Sequence, residues 1–331
     1  MPRRRKKIMP LHKERNASLD VYRCILMYGI CLLHSVTQAG HNVPWVANML
    51  EWCVTGFVFM SGWYGVRFSF GKLFKLYWTS IYCAVAYVSF DVMFSGGGDL
   101  SEGIMRVVAI AKGQWYLNAY AVLLCLSPML NAAVKVVTVR QLIPLCLCAF
   151  GWSFATTLPI IQHYIPKPAG IGAYTFLTLV GVYVIAGFIK NRCGEFIKVS
   201  AYLTDTKILF LTFSVCLGFA AIGLGDYNSP FSLVLACSVF MMFKGANFPV
   251  LIKRFGVALA PSMFSVYLIH AHGWAWGWLS KVEDAFIEVG LPSGASYFAT
   301  AFVVFSSCLI LDVPRRVIES IVMRVGSLKA A

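Results

Sequence analysis

Residues 19–34 read Leu-Asp-Val-Tyr-Arg-Cys-Ile-Leu-Met-Tyr-Gly-Ile-Cys-Leu-Leu-His. Asp20 and Arg23 open the stretch, His34 closes it, and no charged residue stands between Arg23 and His34. The apolar run containing it extends over 19–40, matching the roughly 20 residues a helix needs to cross a bilayer. At 3.6 residues per turn, the eleven steps from Arg23 to His34 make about three turns, so both side chains share one face. They stand about 16 Å apart along the axis. Asp20, three residues before Arg23, can pair with it. Insertion scales put an Arg or Asp at the centre of a membrane helix at about 2.5–3.5 kcal/mol, so such residues usually face a polar interior.

The whole chain agrees with that reading. Of 331 residues, 59% are hydrophobic and 13% charged, with a mean hydropathy of +0.73. Soluble domains are about 25% charged, so too little polar surface remains to cover a water-soluble globule. In lipid, backbone groups must be satisfied internally, by helices or by a closed barrel. Apolar runs of about 20 residues, not ten-residue alternating strands, select helices. The expected fold is therefore an all-α, polytopic integral membrane bundle. Ten of the eleven cysteines lie inside apolar runs, with no CxxC pair, and read as small hydrophobic helix residues. No His, Cys or carboxylate cluster has metal-ligand spacing, so no metal is expected.

Apolar windows predict about ten spans: 19–40, 45–66, 77–94, 115–134, 141–160, 171–189, 208–225, 231–250, 259–280 and 295–313. Residues 1–18 form a basic arm, 19–313 one transmembrane domain and 314–331 a short basic tail. With the N-terminus in the cytoplasm, 23 Lys and Arg fall on the inner side and four on the outer, with Arg23 inside the first span. The positive-inside rule then places both termini in the cytoplasm. The net charge of +14 follows from topology and attraction to anionic membrane lipids, and nucleic-acid binding is not expected. Nor is a cleavable signal peptide, because the first span carries Asp20, Arg23 and His34.

Arg23 is a candidate anion-binding group and His34 a candidate general base, since imidazole titrates near neutrality. An interfacial ion pair and a packed histidine are the structural alternative. The second span closes on Ser61-Gly62-Trp63-Tyr64-Gly65, followed by Arg67, Lys72 and Lys75. Ser61-Gly62 reads equally as a helix-packing position or as part of a basic cup for phosphates. Trp115-Tyr116 opens the fourth span as an aromatic belt or a ligand wall. In the ninth, His270 follows Ser265-Val266-Tyr267-Leu268-Ile269, with His272 and three tryptophans nearer the outer interface. Asp20, Glu51, Asp91, Trp115, Tyr116 and His270 are candidate acceptor-site residues. His41 and His163 fall in outer loops and carry no assigned role.

These pieces together resemble the acyltransferase-3 family of bacterial membrane O-acyltransferases over nearly the whole chain. The resemblance is carried, in family order, by Leu19-Asp20-Val21-Tyr22-Arg23 through His34, Phe59-Met60-Ser61-Gly62-Trp63-Tyr64 and Lys72-Leu73-Phe74-Lys75-Leu76-Tyr77-Trp78. Trp115-Tyr116-Leu117, Leu126-Ser127-Pro128 and Ser265-Val266-Tyr267-Leu268-Ile269-His270 follow. It implies about ten helices in the bacterial cell membrane and no permanently bound cofactor. It also implies transfer of an acyl group, usually acetyl from cytoplasmic acetyl-CoA, to hydroxyls of surface glycans or lipid-linked sugars. By the same resemblance Arg23 and His34 are catalytic and Lys72 and Lys75 contact the CoA phosphates; Arg23 and Ser61, at the same end of their spans, are read as joining that CoA site. Lysines at 72 and 75 depart from the family's paired arginines, keeping charge but losing bidentate phosphate geometry.

Direct transfer with His34 as base and a covalent acetyl-histidine route both fit. The rival class is a glycolipid or small-molecule transporter or flippase, which also needs polar groups within spans. Such transporters often show repeated halves and matched broken helices, and the sequence shows neither.

Overall fold

The computed structural model describes residues 15–38, 43–95, 99–151, 176–192 and 197–329. Its first helix, α1 (Ala17–Gln38), is the hub of the bundle. Asn16 caps it, its side-chain oxygen accepting from the Ser18 N–H. The Ser18 hydroxyl donates to the Ala246 carbonyl and ties this end to the rest of the molecule. Around α1 stand α2 (Pro44–Leu50), α3 (Trp52–Tyr64), α11 (Pro230–Gly245), α12 (Val250–Leu259), α13 (Met263–His270), α14 (Gly273–Glu288) and α15 (Ser293–Lys329). The helix carrying Asp20, Arg23 and His34 is thus surrounded by protein, where ionisable groups can find partners. Tyr22, Leu26, Ile30, Cys31, Leu33 and Val36 are fully buried along it.

The remaining elements complete an all-helical structure, with no strand among the described residues. They are α4 (Phe70–Ser95), α5 (Leu100–Gly113), α6 (Trp115–Val136), α7 (Val139–Cys146), α8 (Phe176–Arg192), α9 (Ile197–Thr204) and α10 (Thr206–Phe219). Five helical stretches among the described residues are long and apolar enough to cross a membrane: Ala17–Gln38, Trp115–Val136, Thr206–Leu224, Val250–His270 and Ser293–Val322. Their outward faces are greasy. Phe210, Leu211 and Val215 on α10, and Phe298, Phe302 and Ile310 on α15, are exposed, as suits lipid and not water.

Several boundaries differ from the sequence expectation. The span expected at 45–66 is two helices meeting at Glu51, whose own backbone stays helical. The span expected at 259–280 runs instead from Val250 to His270, bending through a 3₁₀ turn at Ala260–Ser262. It stops there because His272 caps a new helix, its Nδ1 accepting from the Ala275 N–H. A hydropathy window sees only continued apolar residues and misses that cap. Helix α5 was not expected; Glu102, Arg106 and Lys112 dilute its apolar signal. Arg106 pins it to α4 through an ion pair of 2.5 Å with Asp91. α15 continues past residue 313 to Lys329. Parts of the spans expected at 141–160 and 171–189, and His41 and His163, lie outside the described residues.

Two glycines set the closest helix contacts. A Cβ on Gly62 would lie 2.3 Å from the Tyr183 carbonyl oxygen, and one on Gly256 would lie 2.8 Å from the Val21 nitrogen. These positions bring α3 onto α8 and α12 onto α1 at backbone distance. Gly62→Ala should therefore lower stability by about 1–3 kcal/mol through overpacking. Gly71→Ala, where a Cβ meets nothing within 4 Å, should leave it unchanged. Thermal unfolding of the two variants in the same detergent checks the contrast.

Candidate functional site

The site begins at the Asp20 carboxylate. It is buried, and each oxygen holds one guanidinium: Oδ2 accepts from Arg15 Nε at 2.6 Å and Oδ1 from Arg23 at 2.8 Å. One carboxylate between two guanidiniums leaves a net positive end, and a buried carboxylate without such partners would be strongly disfavoured. The hydrogen bond to Asp20 raises the pKa of Arg15, ahead of the membrane segment, against the opposing effect of partial burial. Arg23 uses one of its five N–H donors on Asp20 and is more than a third exposed.

Arg23 opens into a cavity of about 350 Å³, within the range of small-molecule pockets. One wall is the face of α1 bearing Arg23, Met27 and Ile30; others bring Ser61 and Tyr64 from α3, Tyr116 and Tyr120 from α6, and Met263 and Tyr267 from α13. The walls are mainly apolar with phenol edges. Ser61 donates its hydroxyl back to the Phe57 carbonyl while lining the cavity, and Gly62 beside it serves helix packing. Gly62 is thus a helix-packing position, and Ser61 faces the cavity.

A second cavity of about 250 Å³ shares Val66, Leu76, Tyr120 and Phe264 with the first and is lined by Lys72, Lys75 and Arg315. Lys72 donates to the Arg67 carbonyl and Lys75 to Glu319 at 2.7 Å. Arg315 is bound by Asp312 through Nε at 2.6 Å and a second nitrogen at 2.8 Å, and by Glu319 at 2.5 Å. Lys75 and Arg315 are therefore balanced by Glu319 and Asp312. The positive excess rests on Lys72 and on the Arg15–Asp20–Arg23 cluster.

His34 continues the stripe of Arg23, Met27 and Ile30 one turn farther along α1. It does not line the first cavity; it stands half-buried beyond the layer of Ile30, Met263 and Tyr267. Its ring centroid is 5.0 Å from that of His270 and 6.4 Å from that of Trp276. Of the other sequence candidates, Tyr116 lines the cavity, whereas its exposed neighbour Trp115 does not. Glu51 sits at the α2–α3 joint beside Tyr227, away from both cavities. Asp91 belongs to a separate cluster with Arg106 and the Trp278 indole N–H.

Arg315 and Tyr120 were not singled out from sequence, and Tyr267 entered only as part of the Ser265–His270 stretch. The Asp312-x2-Arg315-x3-Glu319 spacing is the signal that marks the first. Tyr120 stands four residues after Tyr116, on the same helical face. Among the described residues no group of three or more His, Cys, Asp or Glu is placed to hold a metal ion.

No curated protein and no solved structure matches the chain. The family model of the acyltransferase-3 family, described as an acyltransferase domain, matches residues 16–313, from the cap of α1 into α15. With its apolar helices and this match, the chain is a multi-pass membrane acyltransferase and belongs to the acyltransferase-3 family.

Proposed function

We propose that this acyltransferase moves an acetyl group from cytoplasmic acetyl-CoA to a hydroxyl of a surface polysaccharide or lipid-linked sugar. It would do so from the bacterial cytoplasmic membrane, with about ten spans and both termini inside. The observation that carries the reading is the single face of α1 on which Arg23 opens a cavity and His34 stands one turn past its end. Family membership favours this over a transporter or flippase.

In this reading the CoA phosphates bind at the mouth held by Lys72 and Arg23, with Asp20 and Arg15 fixing the Arg23 guanidinium. Lys75 has a weaker role, since Glu319 already neutralises it. The pantetheine arm follows the apolar wall past Met27 and Ile30. Ser61, Tyr116 and Tyr120 offer hydroxyls to its amides. His34 then takes the proton of the acceptor hydroxyl as that oxygen attacks the thioester carbonyl. The C–O bond forms, the C–S bond breaks, and the leaving thiolate receives the proton. Ping-pong kinetics or a trapped acetyl-imidazole would replace direct transfer with the two-step route.

His34→Ala should lower kcat by about 10²–10⁴-fold, the usual contribution of a positioned base, while acetyl-CoA affinity stays at the wild-type value. Thiol release and calorimetric titration of the purified protein separate the two; near-wild-type turnover would remove His34 from the chemistry.

Loss of a charged hydrogen bond is worth about 1.5–3 kcal/mol, less at an exposed mouth. Lys72→Ala should therefore raise KM for acetyl-CoA about 3- to 10-fold, more than Lys75→Ala does. Equal effects of the two substitutions would show that Glu319 does not silence Lys75.

A further inference from the structure

We infer that His270 is a positioning residue that sets the tautomer of His34. The inference rests on the transferase reading for its consequence, but its geometry stands apart from it. His270 closes α13, 1% exposed, with Nδ1 2.5 Å from the Val266 carbonyl one turn back in the same helix. A carbonyl oxygen can only accept, so Nδ1 carries the hydrogen and, in the neutral ring, Nε2 carries the lone pair. That Nε2 is buried and has no hydrogen-bond partner.

The neighbouring imidazole has the complementary need. His34 Nδ1 is also buried without a partner, and the two ring centroids are 5.0 Å apart. That is about the separation of two imidazoles sharing one N–H···N bond of roughly 2.9 Å. The inferred bond joins His34 Nδ1 to His270 Nε2 across this gap, with the His34 ring turned to meet it. Buried polar nitrogens are rarely left unmatched, and since His270 Nε2 can only accept, His34 Nδ1 must donate. Around the pair stand the Cys31 thiol, 4.0 Å from His270 Nδ1, with the rings of Trp276 and Tyr267. None of these offers a carboxylate for the orienting role.

The consequence is directional. With Nδ1–H held by His270, Nε2 of His34 is bare and is the atom that takes the acceptor's proton. As the hydroxyl oxygen bonds to the thioester carbonyl carbon, Nε2 gains that proton; as the C–S bond breaks, the thiolate leaves with the electron pair and collects it. The Nδ1–H stays shared with His270 throughout, so no proton is stranded.

The test uses the full-length protein, ¹⁵N-histidine labelled, in lipid nanodiscs at a pH where both rings are neutral. Nitrogen chemical shifts should report His34 as the Nδ1–H tautomer in the wild type, and a mixture dominated by Nε2–H in His270→Phe. Kinetically, His270→Phe should lower kcat about 10- to 100-fold, the usual loss for a group orienting a functional imidazole. KM for acetyl-CoA should be unchanged, and His270→Gln, whose amide oxygen can accept, should recover part of kcat. An Nε2–H tautomer of His34 in the wild type overturns the inference. So does a folded His270→Phe that keeps wild-type kcat. If that variant does not fold, the wild-type tautomer alone decides. A wild type with Nδ1–H His34 but no acetyl transfer sinks the transferase reading and leaves the histidine pairing standing.

Discussion

A buried carboxylate between two guanidiniums fixes the geometry from which the site follows. Asp20 lies inside the protein with both oxygens occupied by Arg15 and Arg23. Removing water from the Asp20 carboxylate is costly, and the arrangement persists only because two partly exposed guanidiniums hold its oxygens. Arg15 supplies one clamp from outside the first helix and Arg23 the other from within it. The Arg23 side chain is thereby kept at the cavity mouth. Because the same helix carries His34 about 16 Å farther along its axis, anchoring one end also sets where the imidazole falls. The crowding of seven helices around α1 is the packing counterpart: an ionisable stripe in a membrane protein is tolerated when protein, not lipid, surrounds it.

The site divides along its length by polarity. At the mouth, charges are in near balance except for Lys72 and the Asp20 cluster. Deeper in, the walls are apolar with tyrosine hydroxyls, and beyond Ile30 and Tyr267 come two imidazoles and an indole. A donor with a polyanionic head, a thin arm and a small acyl end matches that order of environments. In the proposed reaction only the acyl end would need to reach the histidines, so the anionic part of the donor would stay at the basic end.

Much of this was legible in sequence, and for identifiable reasons. Arg23 and His34 could be placed on one face because helical spacing is fixed by backbone geometry whatever the surroundings. Asp20 was expected beside Arg23 for the same reason, whereas Arg15 as its second partner required knowing that the chain turns just before α1. Lys72 and Lys75 looked equivalent in sequence. They differ because Glu319, more than two hundred residues away, reaches only one of them. The break after His270 and the joint at Glu51 were invisible to apolar windows, since both are made by capping and local bending, not by polarity. The His34–His270 contact is long-range and leaves no local trace at all.

The first cavity does not reach His34. For the proposed general base this position would limit hydration, since water there would compete with the acceptor hydroxyl. Ile30, Met263 and Tyr267 line the cavity near its end toward the imidazole, and His270 packs beside that ring. On the far side of His270 lies a smaller, apolar cavity of about 90 Å³, between α4, α14 and α15. This cavity shares no lining residue with the first, and His270, which lines it, packs against His34. If donor and acceptor arrive from opposite sides of the membrane, as proposed, a closed wall between them would keep ions from leaking. In the proposed transfer the reactive group is His34, which stands one turn past the first cavity on α1 and packs against His270 of the smaller one.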